Sequence, residues 1–274
     1  MKLVRLSLLS IIILLLCSEA VLAKIVLSAP PREKSAAGEK YYGPIAKELS
    51  KILNEQVVYK HPKNWIEFTK DMRANKYDIV FDGPHFASWR MEHVGHVPVA
   101  RLSGNLQFYM LAKKSDKKLA KMQDLLGKSF CGLASPNLGT MSAFNIYKNP
   151  IVQPSIQIVK GGMKNVMKKF LAGECRAAVV RDKIYKKLPP EKKKLIRIIA
   201  KSKKMPNQSF TASKRLSAEE RKKITQFLTS KKGAKASDAL LSRFSKKKKF
   251  WITPKKGEFA DLNFLLEGVV YGWL

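Results

Sequence analysis

Residues 131–140 read CGLASPNLGT. A short apolar run enters the stretch, Ser135-Pro136-Asn137 turns the chain, and Gly139-Thr140 leads into the apolar MSAFNIY. Pro and Asn between two apolar runs predict a strand, a tight turn and a helix start near Leu138. The first N–H groups of such a helix lack intrahelical partners, and together they form a cradle for an anion. Gly139 clears space there, and Ser135, Asn137 and Thr140 add side-chain donors. The competing reading is an ordinary N-cap that holds no ligand.

The same alternation runs outward in both directions. KIVLSA (24–29), QVVYK (56–60) and YDIVFDGP (77–84) read as strands, separated by helical patterns in YYGPIAKELSKILN and WIEFTKDMRAN. A second cycle follows 112, with strands at CGLAS, IQIVKG (156–161) and CRAAVV. The helical pattern of MKNVMKKFLAGE lies among them, ended by Gly173. SAEERKKITQFLTS and ASDALLSRF are helical, and Ser217 with Glu220 forms a capping box. The order predicts an α/β fold of two lobes, each a mostly parallel sheet flanked by helices. Two extended strands near 105–113 and 204–212 join them. The expected boundaries are 1–23 leader, 24–110 first lobe, 111–204 second lobe, and 205–274 helices returning to the first lobe. Linkers of this kind are hinges for closure on a ligand.

The leader MKLVRLSLLSIIILLLCSEAVLA has a basic start, an apolar centre and a small-residue cleavage site at Val21-Leu22-Ala23, so it reads as a signal peptide. Export places the mature chain outside the cytoplasm and changes the meaning of its charge. There are 53 Lys+Arg against 21 Asp+Glu, a formal net charge of +32. In the cytoplasm, runs such as EKKKLIR and SKKKKFW would suggest nucleic acid. Outside it they read as a solvated surface, or one that steers small anions or binds anionic envelope polymer. No nucleic acid is expected as a partner. Two cysteines remain after cleavage, Cys131 and Cys175, and an even count in an oxidising compartment predicts one disulfide; two buried free thiols are the alternative.

Ligands of open α/β sheets bind beyond the carboxyl ends of strands, so the turns there hold the candidate residues. Tyr41 and Tyr42 follow the first strand and offer hydroxyl donors on an aromatic wall. Asp82-Gly83-Pro84-His85 follows the third; Asp82 caps the next helix or accepts from a ligand, Gly83 lets a ligand approach, and His85 lies close to the site. In the second lobe the set is Ser135, Asn137, Leu138, Gly139 and Thr140. Asp182 closes CRAAVVRD as an acceptor, and Arg181 beside it pairs with an anion or stays at the surface. Asn207, Gln208 and Ser209 flank the second crossing strand as neutral donors. Catalytic constellations are missing from the sequence: it has no GxSxG, HExxH or CxxC. His93 and His96 read as surface histidines rather than metal ligands, and neither a cofactor nor a metal is expected.

The whole mature chain resembles the substrate-binding proteins of phosphate, phosphite and phosphonate ABC transporters, a branch of the type II periplasmic binding proteins. The resemblance rests on EKYYGPIAKELSKIL, ANKYDIVFDGPHFASW, DLLGKSFCGLASPNLGT, LAGECRAAVVRDKIYKKL and MPNQSFTASKRLSAEERKKITQFL, in the family's order and near its spacing. It implies a small anionic solute between the lobes, no catalysis, and a monomer that hands its ligand to a membrane permease. It carries the anion turn onto Ser135 to Thr140, the aromatic residue onto Tyr41 or Tyr42, the third-strand turn onto Asp82 to His85, and the acidic residue onto Asp182. One departure stands out. The family's turn is rich in hydroxyls, whereas here Pro136-Asn137-Leu138 precedes Gly139, removing at least one hydroxyl donor. The same fold also serves sensing, with occupancy reported to a membrane receptor such as a histidine kinase.

Overall fold

A computed structural model describes residues 24–147, 149, 151–244 and 250–267; the expected signal peptide lies outside them. The first half runs β1 (Ile25–Ser28), α1 (Ser35–Leu53), β2 (Val57–Lys60), α2 (Trp65–Arg73), β3 (Ile79–Asp82), α3 (Pro84–Val94) and β4 (Val97–Leu102). The chain then crosses through β5 (Asn105–Leu106) into β6 (Phe108–Lys113). Next come β7 (Ser129–Gly132), α4 (Leu138–Phe144), β8 (Ser155–Ile158), α5 (Met163–Ala172), β9 (Ala177–Arg181), α6 (Asp182–Lys186), α7 (Pro190–Lys194) and β10 (Ile196–Lys201). It returns through β11 (Met205–Pro206) into β12 (Ser209–Ala212), and finishes with α8 (Ala218–Thr229), α9 (Lys231–Ala236), α10 (Asp238–Phe244) and β13 (Trp251–Ile252).

Two sheets result, in the orders β13-β4-β12-β3-β1-β2 and β10-β6-β9-β7-β8, with β5 and β11 paired antiparallel between them. Both are mixed, yet in each most strands run in one direction, as expected. The β2-β1-β3 and β8-β7-β9 cores are parallel, as their helical crossovers require. In the first sheet β12 and the short β13 run against the core, while β4, antiparallel to β12, runs with it; in the second β6 runs against the core, and β10, antiparallel to β6, runs with it. For β12 and β6 the reason is the crossing itself: each enters from the other sheet and arrives from the opposite direction.

Apolar spacing decides what each helix buries. In α5, Val166, Met167 and Phe170 face inward, and its end is set by Gly173 in the left-handed region at φ 88°. Burying such a side chain contributes about 1.5–3 kcal/mol. The returning helices lay Ile224, Phe227, Leu228, Leu240 and Leu241 against the core of the first sheet. The Ser217–Glu220 capping box forms as expected, fixing the start of α8. One boundary differs from its sequence pattern. Helix α1 begins at Ser35, ahead of the tyrosines, and carries Pro44 inside it. Tyr41 and Tyr42 are therefore interior helix positions rather than residues at its mouth.

Cys131 and Cys175 form the disulfide, with Cα atoms 5.8 Å apart, and the bridge ties β7 to the residues entering β9. Among the described residues, no helix is long and apolar enough to cross a membrane.

Candidate functional site

A cavity of about 690 Å³ lies between the two sheets. Its wall comes from the turn after β1 (Arg32), the start of α2 (Trp65, Ile66, Thr69), the β3–α3 turn (Gly83, His85, Phe86) and the crossing segments (Leu106, Phe108, Gln208). The second sheet contributes Leu133 to Leu138, Gly162, Met163 and Arg181, and α10 contributes Arg243.

Seven of the residues singled out from the sequence meet there: Gly83, His85, Ser135, Asn137, Leu138, Arg181 and Gln208. The two strand-end turns touch directly, because His85 Nε2 lies 2.9 Å from the Pro136 carbonyl. That carbonyl only accepts, so His85 donates from Nε2. Asn137 is the N-cap of α4, its Oδ1 accepting from the Gly139 N–H at 3.0 Å. One N–H of the expected cradle is thus already used.

The other expected residues lie behind the wall. Tyr42 is fully buried and stacked on Tyr59 at 4.9 Å; burial pushes its phenol well above the ordinary value. Tyr41 packs half-buried on the same core, its ring 5.6 Å from the Arg243 guanidinium. Gly139 sits under the wall, where a Cβ would lie 2.8 Å from Phe108 and Met163 side-chain atoms. Thr140 is fully buried and donates its hydroxyl to the Leu133 carbonyl at 2.5 Å, so it is not a ligand donor. Asp182 takes Lys186 at 2.6 Å, an i,i+4 pair along α6. Asn207 donates to the Ser103 carbonyl at 3.0 Å and accepts the Gln208 N–H, which locks the crossing strand.

Asp82 needs the largest correction. It does not cap α3, whose N-cap is Gly83. Its carboxylate is buried and takes two bonds from Arg90, at 2.6 and 2.8 Å, while Arg90 also donates to Thr211 at 3.1 and 2.9 Å. Two turns into α3, Arg90 therefore neutralises the charge that the β3 end offered. His96 is corrected as well. It is buried, bonded to Thr211 at 3.1 Å and Asn75 at 3.2 Å, and burial pulls its pKa down to about 2. His93, half-exposed, pairs with Glu267 at 2.9 Å.

The residues with most bearing on the site carried weak sequence signals. Three guanidinium groups, Arg32, Arg181 and Arg243, stand in the wall, and none of the lining residues is acidic. Burial lowers the pKa of Arg32, and the Arg243 charge adds to that effect. Among the described residues the Arg32 side chain has no hydrogen-bond partner. Burial lowers Arg181 too, partly opposed by Asp182, and its Nε is buried without a partner. Arg243 pairs with Glu33. Unpaired buried charge is expensive, and an anion between these groups offsets that cost. Arg32 lies at the carboxyl end of β1, where the strand-end rule points; Arg243, from a late helix, had no such signal. Among the described residues no cluster of His, Cys, Asp and Glu is arranged for a metal ion.

Residues 27–253 match the family described as ABC transporter, phosphonate, periplasmic substrate-binding protein. No curated protein matches the chain. Among solved structures, the binding-protein component of an ABC phosphonate transporter from Pseudomonas aeruginosa superposes with a TM-score of 0.55 at 16% identity, covering 86% of this chain and 83% of that one. PhnD1 from Prochlorococcus marinus, in complex with methylphosphonate, gives 0.59 at 15%, covering 88% and 96%. XAC2383 from Xanthomonas citri, bound to ATP, gives 0.66 at 11%, covering 89% and 95%. At such identities the likeness is one of fold, the type II periplasmic binding protein fold.

Proposed function

The chain belongs to the phosphonate family of periplasmic substrate-binding proteins of ABC transporters, and from that premise we propose that its solute is an organic phosphonate held by Arg32, Arg181 and Arg243. The observation that carries this is the half-buried Arg181 side chain, whose buried Nε has no partner among the described residues, in a wall without a carboxylate. Fork-shaped guanidinium groups suit the oxygens of a tetrahedral anion. The cavity, about 690 Å³, exceeds what a bare tetrahedral anion fills, and Trp65, Phe86, Phe108 and Met163 supply an apolar bed for a substituent.

In this reading the two sheets act as lobes, divided at the crossing segments near residues 106 and 205 rather than at 111, because all of β6 belongs to the second sheet, and the β5–β11 pair is the hinge. Closure excludes water and strengthens each polar contact. The loaded protein then delivers its ligand to a membrane permease, and no step of covalent chemistry is involved. The mature chain starts at Lys24 and works as a monomer. Its positive surface steers anions toward the cleft. The sensing alternative has no observation in its favour.

A thermal-shift screen of the mature protein against methylphosphonate, larger alkyl- and arylphosphonates, phosphate, sulfate and neutral sugars tests the proposal. Organic phosphonates should raise Tm in a concentration-dependent way, by mass action. Stabilisation by neutral sugars alone would contradict it.

A further inference from the structure

His85 stands where the two halves meet, and one of its ring nitrogens has no use in the fold. Nε2 donates to the Pro136 carbonyl, so in the neutral ring Nδ1 is a bare acceptor. Nδ1 is buried and has no partner among the described residues. The whole ring is 3% exposed and lines the cavity. Gly83 matters to this geometry, because a Cβ there would lie 3.0 Å from Nδ1 and 2.8 Å from Cε1. Glycine leaves that edge of the ring uncovered.

The surroundings keep the ring neutral. Burial is the main cause, Arg32 and Arg90 oppose a further positive charge, and the Pro136 bond offsets them only partly, so the pKa falls to about 3. Arg181 and Arg243 add cations in the same wall. The Asp82 carboxylate, three residues away, is committed to Arg90. On the facing crossing segment, Gln208 Oε1 is a second buried acceptor without a partner. The wall therefore combines cationic donors with acceptors that ask for a hydrogen.

We propose that His85 Nδ1 reads a proton on the ligand: the cavity takes an oxyanion carrying an O–H donor, a monoprotonated phosphonate, and rejects isosteres that have acceptors alone. This rests on the phosphonate reading and deepens it. A fully ionised oxygen facing Nδ1 meets lone pair against lone pair, whereas a P–O–H donates into it. Discrimination of this kind is strong, because the wrong ligand leaves a buried polar group unpaired.

Calorimetric titration of the mature protein with methylphosphonate and with methanesulfonate, from pH 6 to pH 9, tests it. At pH 6 methylphosphonate should bind at least ~100-fold more tightly than the sulfonate. Above its second ionisation the affinity should fall about tenfold per pH unit, as the protonated species disappears. Methanesulfonate does not titrate in this range and controls for changes in Arg32 or Arg181. His85→Phe should bring the two ligands to within about tenfold and flatten the pH profile. Gly83→Ala, which covers Nδ1, should do the same if the first variant fails to fold. Equal binding of both ligands to the wild type, or tightening of methylphosphonate across its second ionisation, would overturn the assignment to His85 while leaving the phosphonate reading in place. Binding of neither ligand would overturn both.

Discussion

Asp82-Gly83-Pro84-His85 leads from β3 into α3, and Ser135-Pro136-Asn137-Leu138 leads toward α4 after β7; the two turns touch across the cavity. The first stands on a buried ion pair, with Asp82 and Arg90 both about 1% exposed or less. The second is neutral and satisfied locally, with Asn137 capping its own helix and Thr140 tied to Leu133. The halves differ in the same way. The first holds all four histidines of the chain, while the second has none and carries the disulfide. Charge at the first turn is spent on structure, and the charge left for a ligand comes from arginines outside both turns. A turn of the right shape is therefore a poor guide to the groups that bind.

Several variants press on this contrast. Asp82→Ala strands Arg90 in the core and should cost about 3–5 kcal/mol in urea unfolding. Arg90→Met paired with Asp82→Leu should recover much of that, since it removes both charges. An unchanged stability in Asp82→Ala would mean that the first turn does not depend on the pair. For the second half, Cys131→Ala with Cys175→Ala opens a loop with a sequence separation of 44 residues. Chain entropy assigns that bridge about 4 kcal/mol. Hydrogen exchange should rise in β7 to β9 and stay low in β1 to β3; a uniform rise would show that the halves unfold as one unit.

Acid should act on the first half. His85 and His96 have folded pKa values of about 3 and about 2, against an ordinary 6.5. Below pH 6.5 the unfolded chain binds protons that the folded chain refuses, so stability is full above that pH and is lost as pH falls toward 3. Each histidine contributes a slope of about 1.4 kcal/mol per pH unit. His96→Gln should remove one such slope between pH 6 and 4, measured by urea unfolding. An identical slope in the variant would place the acid response elsewhere. The smallest effect belongs to Asn137→Ala, a lost cap worth about 1 kcal/mol. It should leave ligand affinity within about threefold, because Asn137 Oδ1 serves the helix. A larger affinity loss would restore that turn as an anion cradle.

The fold was legible where apolar periodicity was strong. The helix 163–172, the strands around 79–82 and 177–181, and the capping box at Ser217 all follow from local spacing. The antiparallel strands β6 and β12 were not, because their direction is set by long-range crossing and leaves no local trace. At the site, the strand-end rule found the places but chose the wrong side chains at several of them. Tyr42 and Asp82 have the chemistry of ligand groups, yet Tyr59 and Arg90 claim them. Arg32, in the turn after β1, has no side-chain hydrogen-bond partner among the described residues, a difference decided by packing that a sequence does not display.

The central claim is that an anion is held on the guanidinium groups between the sheets, and calorimetry of Arg181→Met with methylphosphonate tests it most directly. The wild type should bind one equivalent, and the variant should lose roughly 30-fold or more in affinity, the range for truncating a buried charged contact. Its stability without ligand should hold or rise, since a half-buried cation with an unpartnered Nε is gone. Wild-type affinity in Arg181→Met would contradict the account.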